Sequence, residues 1–198
     1  SVVEKAFEGA DVIQHLAAAF RELDVPNTYY EEVNVGGTRT ALEVAKKAGV
    51  KKFIYCSTCG VHGNVETPPA NEEAPINAAD YYQQTKYEAE PLLKEFTASG
   101  DMKGVILRPT ALYGPGDKDR FGMIFRRVKK GKFPIFGTGE ALYHPVYVEN
   151  YVDASIQAQA EGVGDGETYL IGDADYLSIE ELVMKIAVSM DMQDTVKI

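Results

Sequence analysis

A tyrosine and a lysine lie four residues apart in the stretch Tyr81-Tyr82-Gln-Gln-Thr-Lys86. On a helix this spacing places Tyr82 and Lys86 on one face. A free phenol has a pKa of about 10 and is a poor proton carrier at neutral pH. A nearby ammonium favours the phenolate and lowers that pKa, so the pair can exchange a proton with an alcohol or a ketone. The spacing also arises by chance on amphipathic helices, and other groups are needed to decide its meaning.

Two hydroxyl side chains supply such groups. Ser57 and Thr58 directly follow the apolar stretch Phe53-Ile-Tyr-Cys56, whose composition predicts a buried strand. Ligands bind at the carboxyl ends of the strands in open parallel sheets. The hydroxyls are therefore candidates for a site at such an edge.

The same stretch offers a competing sulfur site. Cys56 and Cys59 have the C-x-x-C spacing, and His62 follows. A zinc site would require Cys56 to leave its strand, and a redox dithiol favours a helix N-terminus where Gly60 and Gly63 stand instead. We therefore expect no metal site, and we interpret Cys56 as a small buried hydrophobic residue.

The elements that must position these groups alternate along the chain. Asn27 is predicted to cap the first of the helices. The patterns predict strands at 10–18, 53–56, 104–108 and 168–171, and helices at 27–49, 81–99, 124–130, 152–160 and after the capping box Ser178–Glu181. Short connections between alternating strands and helices predict an α/β fold with a doubly wound parallel sheet.

One expected element is absent from the sequence. Sheets of this class that bind a dinucleotide open with a strand, a G-x-G-x-x-G turn and a helix. Neither Gly137-Thr-Gly139 nor the glycines at 162, 164 and 166 have that spacing. We therefore expect the chain to begin within the fold.

Composition excludes several classes of protein. The 198 residues allow one domain with a sizeable core, and the net charge of −10 argues against a nucleic-acid partner. No apolar run approaches the roughly 20 residues of a membrane span, and no secretory signal is visible. We therefore expect a cytoplasmic protein without a membrane partner.

Several stretches together resemble one family. ADVIQHLAA, NVGGTRTALEVAKKAGVKKFIYCSTCGVHG, YYQQTK, VILRPTALYGPGD and HPVYVENYVDA occur in that order over nearly the whole chain. In these stretches the chain resembles the extended short-chain dehydrogenases/reductases of the NAD-dependent epimerase/dehydratase family. The resemblance implies a Rossmann-like sheet, partial here, with a small C-terminal substrate-binding α/β portion.

The resemblance also implies roles for individual residues. Thr58, Tyr82 and Lys86 would be catalytic, with Tyr82 as general acid/base and Lys86 also holding the cofactor's ribose. The cofactor, NAD or NADP, would be bound by these residues: Leu16, Ala17, Ala18, Asn34, Ser57, Tyr82, Lys86, Pro109 and Thr110. The substrate-binding residues would be Thr58, Gly60, His62, Thr110 and Tyr143.

Two departures from the family pattern leave the substrate open. His62 replaces the family's tyrosine, and Tyr143 stands where nucleotide-sugar members carry a phosphate-binding arginine. The implied substrate is a nucleotide sugar, acted on by transient hydride transfer. The alternative is a less charged alcohol or ketone, as in enzymes resembling hydroxysteroid dehydrogenases or dihydroflavonol reductases. Arg120, Arg126 or Arg127 could still reach a phosphate.

The resemblance further implies how the chain is organised. Residues 1–115 would form the C-terminal part of an NAD(P)-binding domain, and residues 116–198 a substrate-binding portion interleaved with its last elements. The helices near 28–48 and 81–98 would pair two copies into a homodimer. Because the glycine turn is missing, we expect the chain alone to bind NAD weakly or not at all. The alternative to an active enzyme is a fragment that is inactive in isolation.

Overall fold

The computed structural model describes residues 1–20, 22, 24–135 and 137–194. A four-stranded parallel sheet in the order β1-β2-β3-β7 organises its first part. The strands are β1 Val12–His15, β2 Lys52–Cys56, β3 Lys103–Pro109 and β7 Thr168–Ile171. Phe53 and Tyr55 of β2 are completely buried, which explains the near-continuous apolar sequence of this central strand.

Helices flank this sheet and complete its core. They are α1 Val2–Phe7, α2 Asn27–Tyr30, a π-helical segment Glu31–Gly36, α3 Gly37–Ala48, a 3₁₀ turn Cys59–His62 and α4 Tyr81–Thr97. Leu42 of α3 and Leu93 of α4 belong to the same apolar cluster as Phe53 and Tyr55. The Rossmann-like α/β class predicted from the sequence is confirmed.

The remaining elements are shorter. They are β4 Ala111–Tyr113, α5 Phe121–Lys129, β5 Leu142–Tyr143, β6 Pro145–Tyr147, α6 Val148–Gln157, β8 Leu177–Ser178 and α7 Ile179–Ser189. β4 pairs with β6 in parallel, and β5 pairs with β8 in antiparallel. Phe121 and Val128 of α5 pack with Val183 and Ile186 of α7 in a second apolar cluster.

Contacts divide the chain into two compact units. The first comprises Ser1–Pro109 and Asp153–Ile171, and the second comprises Thr110–Val152 and Gly172–Ile198. The first stretch of the first unit ends at Pro109, whereas the sequence-based boundary is at residue 115. The later stretch Asp153–Ile171, which contains β7, also belongs to the first unit.

Several element boundaries differ from the sequence prediction. Asn27 is the first residue of α2 rather than its cap: Pro26 takes the cap position, without a side-chain hydrogen bond. The predicted strand at 10–18 is shorter in the structure: β1 runs from Val12 to His15, and the exposed Leu16 follows it. α6 begins at Val148 instead of 152. The capping box of Ser178 and Glu181 is confirmed by reciprocal hydrogen bonds.

A wider helical turn interrupts the predicted helix at 27–49. The segment Glu31–Gly36 is π-helical, and it leads into α3 through Gly36 and Gly37. Such turns commonly occur at functional sites because they change the direction of a side chain. Here the π-helical turn carries Asn34, which is completely buried.

Gly63 ends the turn after β2 under a tight steric constraint. Its φ is +64°, and a Cβ there would lie 1.9 Å from the carbonyl oxygen of Asn77. We expect Gly63→Ala to lower the free energy of unfolding by about 3 kcal/mol or more. The cost of a left-handed backbone at alanine adds to that of the steric overlap with Asn77. Urea unfolding measures the change.

Gly162→Ala is the matched control. Gly162 has φ +76°, but a Cβ there meets no atom within 4 Å, so only the backbone cost of about 1 kcal/mol is expected. Equal losses in the two variants would contradict the proposed close approach of Gly63 to Asn77.

Candidate functional site

Parallel pairing brings two strand ends to one edge of the sheet. β1 and β2 pair in register from Val12 with Lys52 to His15 with Tyr55. The segment after β1 and the turn after β2 therefore leave the sheet side by side. This edge is where a doubly wound sheet binds its ligand.

Thr58 lies in the turn after β2. Its backbone is extended, and its Oγ1 accepts a hydrogen bond from the amide of Gly60 at 3.1 Å. A Cβ on Gly60 would lie 3.0 Å from the side chain of Gln83 on α4. The absence of a side chain at Gly60 thus lets the turn that carries Thr58 approach α4 closely.

Tyr82 lies in the first turn of α4. Asp80 caps this helix by accepting a hydrogen bond from the amide of Gln83 at 2.8 Å. The half-buried ring of Tyr82 meets the ring of Phe20 edge to face, with centroids 4.8 Å apart. The contact places the start of α4 against the segment after β1.

Lys86 is buried one helical turn after Tyr82. Its side chain is 2% exposed, and its ammonium lies 4.3 Å from the centroid of the Tyr55 ring. Within the described part of the chain, no carboxylate lies within ion-pair distance of this ammonium. Burial lowers the pKa of Lys86 to about 8, while the interactions of its ammonium with Cys56 and Glu90 act in the opposite direction.

Asn34 connects the segment after β1 to α4. Its Oδ1 accepts a hydrogen bond from the amide of Ala19, and its Nδ2 donates to the carbonyl of Ala19 and to Thr85 Oγ1, at 2.8, 3.3 and 2.9 Å. All polar atoms of the side chain are thus used inside the protein. The cofactor-binding role predicted for Asn34 stays a prediction.

Exposed residues surround the same edge. Leu16 is 56% exposed, Ala17 is exposed, and Ala18 is partly buried. An exposed leucine directly after a buried strand leaves apolar surface that a bound ligand can cover. The segment predicted to line the cofactor is therefore accessible in the first unit.

Ser57 and His62 are placed differently from Thr58. Ser57 is 2% exposed, and its hydroxyl donates to Glu90 Oε1 at 2.6 Å. His62 is 5% exposed, with Nδ1 at 3.0 Å from the carbonyl of Ala74 and Nε2 at 3.0 Å from the guanidinium of Arg108. Both side chains thus contact protein groups, and their predicted ligand roles stay predictions.

Three polar residues near this edge were not predicted from the sequence. Glu90 and Arg108 are buried, at 2% and 5% exposure, and form an ion pair. His15 lies over the Tyr55 ring, and burial together with the charge of Lys86 lowers its pKa to about 4. The sequence did contain a signal: Glu90 follows Lys86 by one helical turn, and Arg108 interrupts an apolar strand.

The second unit contains two predicted site residues. The Thr110 Oγ1 atom is buried and has no hydrogen-bond partner among the described residues. Tyr143 lies under the guanidinium of Arg120, which is 5.1 Å from its ring centroid. Pro109, the last residue of β3, belongs to the first unit.

Cys56 and Cys59 are not joined by a disulfide, and both are half-buried. Cys56 is thus less buried than predicted, because this last residue of β2 lies where the strand leaves the sheet. Over the ranges that the structure describes, no group of three or more His, Cys, Asp or Glu residues could hold a metal ion, and no helix is long and apolar enough to cross a membrane.

Comparison with protein families identifies a match over most of the chain. The model of the "NAD dependent epimerase/dehydratase family" matches residues 1–172. A UDP-glucose 4-epimerase of Vibrio cholerae is 32% identical over 95% of this chain and 60% of its own length. A 3beta-hydroxysteroid-dehydrogenase/decarboxylase (isoform 2) of Arabidopsis thaliana is 33% identical over 90% of this chain and 33% of its own length.

Solved structures show the same fold. A UDP-glucose 4-epimerase of Thermotoga maritima with UDP-glucose matches with a TM-score of 0.83 and 28% identity, over 100% of this chain and 66% of that one. A UDP-glucuronic acid 4-epimerase of Bacillus cereus in complex with NAD matches with a TM-score of 0.87 and 24% identity, over 100% and 64%. The chain thus spans a third to two thirds of the length of these proteins.

The burial of Lys86 predicts a pH-dependent stability. With a folded pKa of about 8 against an ordinary 10.5, the unfolded chain binds more protons between these values, so stability rises with pH there. We expect a gain of about 1.5 kcal/mol from pH 8 to about pH 9.5, absent in Lys86→Met. Urea unfolding at a series of pH values measures it.

Lys94→Met is the control, because Lys94 is an exposed lysine on the same helix and its removal should leave the rise intact. The range stops below pH 10 because burial raises the pKa of Tyr55 well above its usual 10, which costs stability at higher pH. An identical pH slope in wild type and Lys86→Met would contradict the buried charge.

Proposed function

Because the chain belongs to the NAD-dependent epimerase/dehydratase family, we propose that it carries the proton-relay part of an enzyme acting on nucleotide sugars. The observation that carries this proposal is the buried Lys86 ammonium, one helical turn from Tyr82 and outside ion-pair distance of any described carboxylate. A buried charge without a counter-charge is costly unless a ligand or a reaction uses it.

The residues present fit a nicotinamide dinucleotide. Lys86 offers a buried cation to ribose hydroxyls, and the unpartnered hydroxyl of Thr110 offers a hydrogen bond in its own unit. The exposed apolar segment Leu16–Ala18 offers surface for a ring system. We propose that Lys86, the segment Leu16–Ala18 and Pro109, all in the first unit, hold NAD. When bound, NAD accepts and returns a hydride at a carbinol carbon.

The chain's own contribution is positioning and proton transfer. Tyr82 takes the proton from the substrate hydroxyl and returns it, and Lys86 stabilises the phenolate by its charge. With a pKa of about 8, Lys86 stays mostly protonated at neutral pH despite its burial. Thr58 donates a hydrogen bond to the reacting oxygen, while its Oγ1 accepts from the amide of Gly60. Donation by Gly60 leaves the hydroxyl proton of Thr58 available.

The substrate class is proposed from the relatives. The UDP-glucose 4-epimerase of Vibrio cholerae matches over 95% of this chain, which supports a nucleotide sugar. The hydroxysteroid dehydrogenases are the second candidate, because relatives such as the Arabidopsis protein are as similar in sequence. Tyr143, which has no charge to bind a phosphate, favours this second candidate; Arg120 over its ring favours the first.

We expect Tyr82→Phe to lower the turnover of the full-length protein by about 10²–10⁴, the usual effect of removing a general acid/base. NAD affinity should change little, because the ring and its contact with Phe20 are retained. Tyr87→Phe is the control: it deletes a phenol hydroxyl on the same helix, at a position with no proposed role. Equal turnover in Tyr82→Phe and wild type would remove the relay mechanism.

The same assay separates the two substrate classes. The full-length protein is supplied with NAD and either UDP-glucose or a 3β-hydroxysteroid. Epimerised sugar with no net reduced cofactor supports the first candidate; stoichiometric reduced cofactor with the steroid supports the second. Turnover of neither substrate, with NAD bound, would overturn both substrate assignments.

A further inference from the structure

Two opposite charges are buried in the first unit for no evident gain in stability. Glu90 on α4 and Arg108 on β3 are 2% and 5% exposed. Removing such a pair from water costs several kcal/mol, and well-packed apolar side chains are often at least as stable in its place. Positioning of neighbouring groups therefore explains the pair better than stability does.

The carboxylate of Glu90 accepts three hydrogen bonds from two partners. Arg108 donates from Nε to Oε1 at 2.9 Å and from Nη2 to Oε2 at 2.6 Å, a bidentate geometry. Ser57 donates its hydroxyl to Oε1 at 2.6 Å. Helix α4 is thereby joined to the end of β2 and to β3 by bonds with strict directions.

The position of Glu90 along α4 connects these hydrogen bonds to the proposed relay. Glu90 follows Lys86 by four residues and Tyr82 by eight, so the three side chains share one helical face. Ser57 is the residue directly before Thr58. The Ser57–Glu90 bond thus joins the strand end that carries Thr58 to the helix that carries the other two groups of the proposed relay.

The far end of the Thr58 turn is held by the same pair. Arg108 Nη1 lies 3.0 Å from His62 Nε2, and a guanidinium can only donate, so Nε2 accepts. His62 Nδ1 must then carry the proton that it shares with the carbonyl of Ala74 at 3.0 Å. His62 ends the 3₁₀ turn that Thr58 caps.

We propose that Ser57, Glu90 and Arg108 are positioning residues, which hold the Thr58 hydroxyl in place relative to Tyr82 and Lys86. The inference rests on the proposed function for its kinetic consequence. It assigns Ser57 a role that differs from the cofactor contact predicted from the sequence. The pair holds the turn at both ends: Glu90 contacts Ser57 before it, and Arg108 contacts His62 at its end.

Ser57 is the residue to change, because replacing Glu90 would leave the buried Arg108 without its counter-charge and would endanger folding. We expect Ser57→Ala to lower kcat for the preferred substrate by about 10- to 100-fold, with KM and the Kd for NAD within about 2-fold. Ser57→Thr retains the donor oxygen and should restore most of kcat.

A double-mutant cycle separates positioning from a general loss of stability. If Ser57 acts through Thr58, then Ser57→Ala in a Thr58→Ala background should lower kcat by less than about 2-fold. Independent, multiplying losses would overturn the proposal. A raised Kd for NAD with unchanged kcat would instead make Ser57 a cofactor ligand, and would also overturn it.

A second measurement does not depend on turnover. The amide of Gly60 donates to Thr58 Oγ1, so its hydrogen exchange reports how well that side chain is held. We expect exchange at Gly60 to be about 10-fold faster in Ser57→Ala than in wild type and in Ser57→Thr. Unchanged exchange would overturn the proposal even if the enzyme proved to have another substrate.

Thr97→Ala is the matched control. Like Ser57→Ala it deletes a hydroxyl, but this hydroxyl is on α4, donates to the carbonyl of Leu93 at 2.8 Å and lies outside the pair's contacts. It should cost similar stability while leaving kcat and the exchange at Gly60 unchanged. A lower kcat together with faster exchange at Gly60 in Thr97→Ala would show that any weakening of α4 has the same effect. That result would contradict the proposal.

Discussion

Every charge buried in the first unit needs compensation, and this requirement organises much of the structure. Lys52 meets it with the carbonyls of Ala160 and Val163, each at 2.7 Å, and with Asp165 at 2.8 Å. Glu90 and Arg108 compensate each other. Lys86 has an aromatic ring and no carboxylate within ion-pair distance in the described part of the chain. The incompletely compensated charge is the one next to Tyr82, which is what a ligand-binding cation requires.

The sequence predicted the site best where local spacing determines geometry. Tyr82 and Lys86 share a face of α4 because a helix brings residues four apart together, and the buried β2 follows from its apolar run. Glu90 and Arg108 could not be paired in advance, because their contact depends on how α4 packs against β3. Hydrophobic periodicity treats buried positions as apolar, so it does not predict a buried ion pair.

The fold predictions failed where tertiary contacts override local preference. Asn27 has a good capping side chain, yet Pro26 takes the cap position and Asn27 is the first residue of the helix. The π-helical turn at Glu31–Gly36 has no clear signal in the sequence beyond Gly36 and Gly37. The hydrogen bonds of Asn34 to Ala19 and Thr85 offset the cost of this irregular turn. Two-residue strands such as β5 and β8 exist only through their mutual pairing, which a single segment cannot reveal.

Helix α4 is joined by hydrogen bonds to both strand ends of the site. Asn34 joins it, through Thr85, to the segment after β1, and Glu90 joins it, through Ser57, to the turn after β2. Both connections use buried groups with strict geometry, whereas apolar packing alone would tolerate sliding of one element along another. Since the two connections leave α4 on either side of Lys86, the helix cannot shift toward one strand end without breaking a bond to the other. A proton relay that needs Thr58 and Tyr82 at fixed separation gains more from such opposed constraints than from a larger apolar core.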